Sequence, residues 1–285
     1  MPRVRAVVLL LIALPAPAQE RPLPPLEPFL QQVRAHLQTD EDRQSAYMYV
    51  ETQRRHGIDK KGNPTGESVK IIESYPGFPG EDRWDRVISE NGKPTSPEEL
   101  AKQDRERQKK AEEFVRRLQS GKDRAKMARE REERRREDEK AIDEIFRVYD
   151  IRMLRREPLE GHGTIVFSLT PRRDATPRTR EGKIMRNFVV KAWVSESDYE
   201  LVRLEVEAID DVSIGMGLLA RVHKGTRAWF QRRKVNGEEW LPAEASYTAS
   251  ARVLLLKRYR VGGTSEFSGY RKFTVDTSTT YTRPK

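Results

Sequence analysis

Phe29, Leu30, Val33 and Leu37 recur at three- and four-residue spacing, which predicts a short helix with a single apolar stripe. Pro22, Pro24, Pro25 and Pro28 precede it as a stiff, extended leader, so the helix is expected to start only after Pro28 and to end at Thr39-Asp40-Glu41-Asp42. The period then drops from 3.6 to 2. Tyr47, Tyr49 and Glu51 alternate with Met48, Val50 and Thr52, a turn over 59–64 reverses the chain, Glu67 to Tyr75 returns, and Asp82 to Glu90 forms a third strand closed by Asn91-Gly92. Ser96, Pro97 and Glu99 are the N-cap, first-turn proline and capping-box glutamate of a helix. From there to about Val148 the chain is helix-forming, with one break at Ser120-Gly121, where a glycine C-cap fits.

Period 2 resumes after Tyr149. Asp150 to Arg156 and Thr164 to Pro171 flank a turn over 158–163, and 172–183 reads as a polar loop. Phe188, Val190, Ala192 and Val194 then share one face, with Val189, Lys191 and Trp193 opposite. Val202, Leu204, Val206 and Ala208 alternate with Arg203, Glu205 and Glu207. Thr226 to Val235 leads into a hairpin at Asn236-Gly237. A strand from Ala243 to Val261 sets Tyr247, Ala249, Ala251, Val253, Leu255, Tyr259 and Val261 on one side, and Phe267 to Val275 closes the sheet. The expected fold is mainly β (α+β): a curved antiparallel sheet or open half-barrel, with a short N-terminal helix and a long, charged helical hairpin inserted at about 96–148. Its apolar face needs a cover. Docked helices supply one, or the sheet curls and leaves a pocket.

Charge changes this picture locally. The chain of 285 residues is 35% charged with a formal net charge of +10, against roughly 25% charged in ordinary domains. Between Glu98 and Lys140, however, 16 Lys and Arg face 13 Asp and Glu, a net of only +3. Arg129 to Lys140 has no apolar face and is expected to project into water, held by pairs of ~0.2–0.5 kcal/mol each. The N-terminus carries Arg3 and Arg5, an apolar run from Ala6 to Leu14, and Ala16-x-Ala18, the three parts of a secretory signal. Residues 1–18 are therefore expected to be removed near Ala18, leaving a Pro-rich leader over 19–28, a single β domain over 29–285 and a net charge of +8. Export argues against nucleic acid as a partner. Without any Cys there is no disulfide framework, thiolate metal site, thiol nucleophile or cysteine-linked lipid anchor. The expected location is the periplasm, as a soluble monomer.

Little in the chain points to catalysis. His36, His56, His162 and His223 are scattered, with no HExxH spacing, no GxSxG elbow and no phosphate-binding P-loop. Gly215-Met216-Gly217-Leu218-Leu219-Ala220 has the letters of a dinucleotide fingerprint but no surrounding βαβ unit, so its glycines are read as a bend or a close strand approach. Asp210-Asp211 are adjacent, point to opposite faces if on a strand, and suit a loop end. Arg134-Arg135-Arg136 and Arg232-Arg233-Lys234 read first as solvated faces and second as contacts to anionic headgroups. No catalytic residue, metal ligand or cofactor is expected.

The apolar sheet face is the remaining candidate. Phe188, Val190, Leu204 and Val206 with Tyr247, Ala249, Ala251, Val253 and Leu255 are the residues expected to line a cavity for acyl chains, if the N-terminal helix does not fill that face as an ordinary core. At ~0.8 kcal/mol per methylene, about ten methylenes supply about 8 kcal/mol gross.

Three stretches, Ser89-Glu90-Asn91-Gly92-Lys93-Pro94, the run from Lys191 to Glu205 with its Trp-Val-Ser-x-x-Asp-Tyr-x-Leu-Val-Arg pattern, and Glu266 to Phe273, resemble the outer-membrane lipoprotein-sorting (LolA/LolB-like) superfamily. The resemblance implies an open antiparallel half-barrel whose concave face, lidded by helices, carries acyl chains across the periplasm. The charged excursion from Ser96 departs from that pattern, and the missing lipid-attachment cysteine excludes the anchored-receptor branch. The first functional expectation is thus a non-enzymatic carrier or chaperone for a lipid or acylated protein. The second is an interaction scaffold whose charged helices bind an envelope protein or an anionic membrane surface.

Overall fold

The computed structural model describes residues 21–78, 82–214, 220–253 and 257–272. The signal sequence expected over residues 1–18 and the glycine-rich stretch at 215–219 lie outside them. The first helix, α1 (Leu26–Gln44), is longer at both ends than expected. Pro28 is its third residue, where an α-helix has no use for the missing N–H, and Phe29 donates its amide to the Pro25 carbonyl at 3.3 Å. The leader therefore ends inside the expected 19–28 stretch. The strands β1 (Tyr47–Ile58), β2 (Pro64–Tyr75), β3 (Trp84–Glu90) and the two-residue β4 (Lys93–Pro94) follow as successive hairpins. Asn91 and Gly92 have φ of 50° and 76°, the paired left-handed residues of a tight hairpin turn.

Helix α2 (Pro97–Gln119) starts as its punctuation demands: the Ser96 side chain accepts from the Glu99 N–H at 3.2 Å. Gln103 on α2 hydrogen-bonds both main-chain groups of Val87, at 2.9 and 3.2 Å, so a side-chain amide covers part of a strand edge. Arg107 lies over Tyr75 and Trp84, and Phe114 stacks on Phe78 at 4.7 Å. Helix α2 ends without the expected glycine C-cap, and α3 (Gly121–Val148) follows at once. Ser120 makes the break instead, closing α2 with its amide and capping α3 with its hydroxyl; Gly121 is simply the first residue of α3. The middle of α3 is solvated, with Glu132 pairing Arg135 and Arg136 at 2.9 Å. Hydrogen bonds from Arg135 and then Arg136 bring the Glu132 carboxyl down to about 2.

The remaining elements are β5 (Tyr149–Leu159), β6 (His162–Pro171), α4 (Arg180–Met185), β7 (Phe188–Ser195), β8 (Leu201–Ala208), the short β9 (Val212–Ile214) and β10 (Ala220–Val222), β11 (Arg227–Val235), β12 (Glu239–Val253) and β13 (Lys257–Lys272). Three expectations change here. The turn after β5 narrows to Glu160-Gly161. A short helix, α4, capped by Thr179, occupies the end of the expected loop. The single strand expected from Ala243 to Val261 is two, β12 and β13, paired antiparallel with Ala249 opposite Val261 and Val253 opposite Lys257.

All pairings are antiparallel, in the order β4-β3-β2-β1-β13-β12-β11-β8-β7-β6-β5, with β10 on β12 and β9 on β10. β4 and β5 form the two ends, so the sheet is open. The chain leaves one end through α2 and re-enters at the other from α3, which makes the charged hairpin the link between the two edges. Among the described residues no helix is long and apolar enough to cross a membrane.

The core lies where α1 and the end of α3 meet β5 to β7: Phe29 and Val33 pack with Val148, Tyr149, Ile165, Phe167, Leu169, Ala192 and Val194. Glu144 on α3 is buried and fixes the α4 segment, accepting the Arg178 N–H on both oxygens at 3.1 Å. Gly182 is required there, since a Cβ would fall 1.8 Å from a Glu144 oxygen.

The basic run at 232–234 is not the solvated face expected of it. Arg232 is buried, Arg233 donates to the Phe267 carbonyl at 2.5 Å and Lys234 pairs Asp198 at 2.8 Å. Burial raises the Asp198 carboxyl, but hydrogen bonds from Lys234, the buried Trp240 indole and Ser197 outweigh it and bring it down to about 2. Because the folded value lies below the ordinary 3.8, this stabilisation is complete above that value and is lost as pH falls through about 2. Asp198→Asn is expected to unfold at lower temperature at neutral pH and to lose less of its midpoint than the wild type across that acid window.

Candidate functional site

The candidate face is built by strand register. Leu169 on β6 pairs Val190 on β7; Val190 pairs Val206 on β8; Val206 pairs Ala228 on β11; Ala228 pairs Tyr247 on β12. Directly opposed residues of antiparallel strands share a face, so these five form one continuous apolar row across five strands. A second row beside it holds Phe167, Ala192, Leu204, Phe230 and Ala245. Both belong to the face on which Phe29 of α1 packs, through Phe167 at 5.7 Å.

Helix α1 covers only part of this face. It is held by Phe29 against Phe167 and Tyr199, and by Glu200, a buried carboxylate that accepts from His36 Nδ1 at 2.7 Å and from Arg43. Arg43 also reaches Glu239 at 3.3 Å. Leu169, Ala192 and Val194 are buried beneath this cover. Farther across the sheet, Val206, Ala228, Phe230 and Tyr247 stay half-buried. A cavity of about 660 Å³ crosses these strands, lined by Leu169, Val190, Val206, Ala228 and Tyr247, each with its two chain neighbours. That volume is within the range of small-molecule sites.

Tyr247 is held by a glycine. Gly263 of β13 stands opposite it, and a Cβ there would lie 2.8 Å from the Tyr247 ring. The adjacent Gly262 does the same for His56 on the other face. That other face is polar: Arg227 pairs Glu207 at 3.0 Å, and Arg203 lies between Trp193 and Trp229 at 5.5 and 4.6 Å. The Glu207 hydrogen bond raises Arg227 above its ordinary value.

Of the residues expected at the site, Val190, Val206 and Tyr247 line the cavity. Phe188, Leu204 and Ala249 stand on the same face in neighbouring rows. Ala251 and Val253 occupy same-face register positions on β12, but their side chains, and Leu255 altogether, lie outside the described residues. Leu169 and Ala228 were missed, although the alternation that picked out the other strands also runs through Phe167-Leu169 and Ala228-Phe230.

The polar clusters have structural partners. His36 meets Glu200, His162 stacks edge-on against Trp240, and Asp211 accepts from the Lys224 N–H at 2.9 Å and faces His223 at 3.2 Å, the loop-end role expected of the Asp210-Asp211 pair. The Lys224 backbone amide, then His223, holds the Asp211 carboxyl below its ordinary value. Among the described residues no three His, Asp or Glu converge in a way that holds a metal ion.

No protein-family model matches the chain, and no curated protein matches it. Among solved structures it is similar to an outer membrane lipoprotein-sorting protein domain from Vibrio parahaemolyticus, at 11% identity over 86% of this chain and 92% of that one, TM-score 0.35. It is similar as well to a LolA superfamily protein from Nitrosomonas europaea, at 9% identity over 86% and 94%, TM-score 0.34. A DUF1329 family protein from Desulfovibrio piger gives 12% identity over 89% and 95%, TM-score 0.32. At these scores the likenesses carry no functional argument.

Proposed function

We propose that the protein is an exported, non-enzymatic binding protein that holds an acyl chain, of a lipid or an acylated protein, on the apolar face of its open sheet. One observation carries this reading: the in-register row Leu169, Val190, Val206, Ala228 and Tyr247, half of it uncovered by helix, lies along a cavity of about 660 Å³. Water gains nothing from such a row, and a hydrocarbon chain laid along it removes apolar surface from water on both partners. Phe188, Leu204 and Ala249 extend the surface, and the alanines leave room for the guest. The charged members of the lining, Lys191, Glu205, Glu207 and Arg227, alternate with the row along their strands and belong to the opposite, polar face, which leaves the row itself apolar.

The test is a titration of the full chain with cis-parinaric acid, followed by its fluorescence. Saturable binding with a Kd of about 1–100 μM is expected, since the ~8 kcal/mol gross from about ten buried methylenes sets a micromolar upper limit on affinity before the cost of immobilising the chain. Palmitate is expected to displace the probe. Linear, non-saturable fluorescence that palmitate leaves unchanged would overturn the reading.

A further inference from the structure

The positive charge of the helical arm is concentrated at one place. Residues 116–131, the end of α2 and the start of α3, hold seven Lys and Arg against Asp123 and Glu130, a net of +5. The rest of the stretch from Glu98 to Lys140 holds nine against eleven, a net of −2. The arm thus has an acidic-to-neutral shaft and a strongly basic tip. Apolar exposure falls in the same place. Val115 and Leu118, 51% and 41% exposed, are two of the five large exposed hydrophobics among the described residues, and they sit three apart on the last turns of α2. The exposed cations beside them differ from those of the shaft. Arg135 and Arg136 are tied to Glu132, whereas Arg116, Lys122, Arg124 and Arg129 have no carboxylate partner among the described residues.

We propose that the tip of the α2–α3 hairpin docks on an anionic phospholipid bilayer, with Val115 and Leu118 entering the interface and Arg116, Lys122, Arg124 and Arg129 lying among the headgroups. The pairing of two exposed aliphatic side chains with exposed cations on the adjoining turns of α2 and α3 is what an interfacial contact needs, since neither term alone holds a protein at a surface. A soluble acidic protein would engage the cations but has no use for the two aliphatic side chains. Docking through the tip leaves the sheet and its cavity on the far side of a helical arm. It therefore stands whether or not an acyl chain occupies that cavity.

The test is co-sedimentation of the full chain with vesicles of phosphatidylglycerol and, separately, of phosphatidylcholine. Binding to phosphatidylglycerol, weakened by added salt, and little binding to phosphatidylcholine are expected. A tip-charge variant, Arg116→Gln with Lys122→Gln, Arg124→Gln and Arg129→Gln, is expected to lose binding by about six hundredfold, each of the four cations being worth about fivefold near such a surface. Val115→Ser with Leu118→Ser is expected to lose at least tenfold with the charge intact. A shaft variant, Arg134→Gln, is expected to change binding by less than twofold. All these side chains are exposed, so circular dichroism of each variant is expected to match the wild type. Equal binding to both lipids would overturn the proposal. So would a shaft variant as weak as the tip variants, or capture of soluble polyglutamate with the same affinity and the same indifference to Val115 and Leu118.

Discussion

Phe167→Ala is expected to lower the free energy of unfolding by ~3–5 kcal/mol, the range for a buried aromatic ring truncated in a core. Phe167 on β6 is 2% exposed and lies between Ile165 and Leu169 of its own strand, with Ala192 opposite and the Phe29 ring of α1 at 5.7 Å. The ring is the floor on which α1 rests, so its loss leaves a void that the sheet cannot close and the helix can fill only by shifting. Urea unfolding followed by circular dichroism measures the loss. Pairing the variant with Phe29→Ala is expected to give a coupling of ~0.5–3 kcal/mol, because the two rings stabilise the same contact. A loss under ~1 kcal/mol for Phe167→Ala would mean that α1 is not held by this ring.

Ala228→Trp is expected to weaken cis-parinaric acid binding at least tenfold, about 1.4 kcal/mol. Ala228 is the smallest member of the cavity row and stands between Val206 and Tyr247 in register. An indole there takes the space proposed for the acyl chain. The position is half-buried and lies away from the core cluster under α1, so the urea midpoint is expected to fall far less than in Phe167→Ala. Val206→Asp provides a second route to the same result, since a carboxylate on the row costs the guest its apolar contact without filling the space. If both variants keep wild-type affinity, the row is not where the acyl chain binds.

Most of the strands and both charged helices are legible in the sequence, because alternation and capping are local signals. Ser96 accepting from Glu99, and the Asn91-Gly92 and Asn236-Gly237 turns with both residues at positive φ, follow from residue chemistry within a few positions. What the sequence hides has identifiable causes. The reversal between β12 and β13 is silent because Val253 pairs Lys257 across three residues, and an odd gap keeps the alternation in phase. Tyr247, Ala249, Tyr259 and Val261 read as one strand face and are one face, but of two strands. Pro28 looks like a barrier to a helix only until the helix is allowed to start before it, where its missing N–H is not needed. The pairing of β1 with β13, which joins the two ends of the chain at the middle of the sheet, leaves no local trace. Nor does its consequence, that the charged hairpin links the two free edges.

The candidate site was legible to the extent that it is a strand face. Val190, Val206 and Tyr247 stand in one row because alternation selects a side. Which rows meet is set by register, and register brings in Leu169 and Ala228, which alternation marks only as generic core. Gly263, which lets the Tyr247 ring lie flat against β13, reads in sequence as a weak point in a strand and acquires its meaning from the strand beside it.

Photo-crosslinking of the full chain with a diazirine-bearing fatty acid, followed by peptide mapping, tests most directly whether the sheet face holds an acyl chain. Labels are expected on the peptides of β8, β11 and β12 that carry Val206, Ala228 and Tyr247, and palmitate is expected to suppress them. Labelling confined to the α2–α3 hairpin, or labelling that palmitate does not compete, would contradict acyl-chain binding on the sheet.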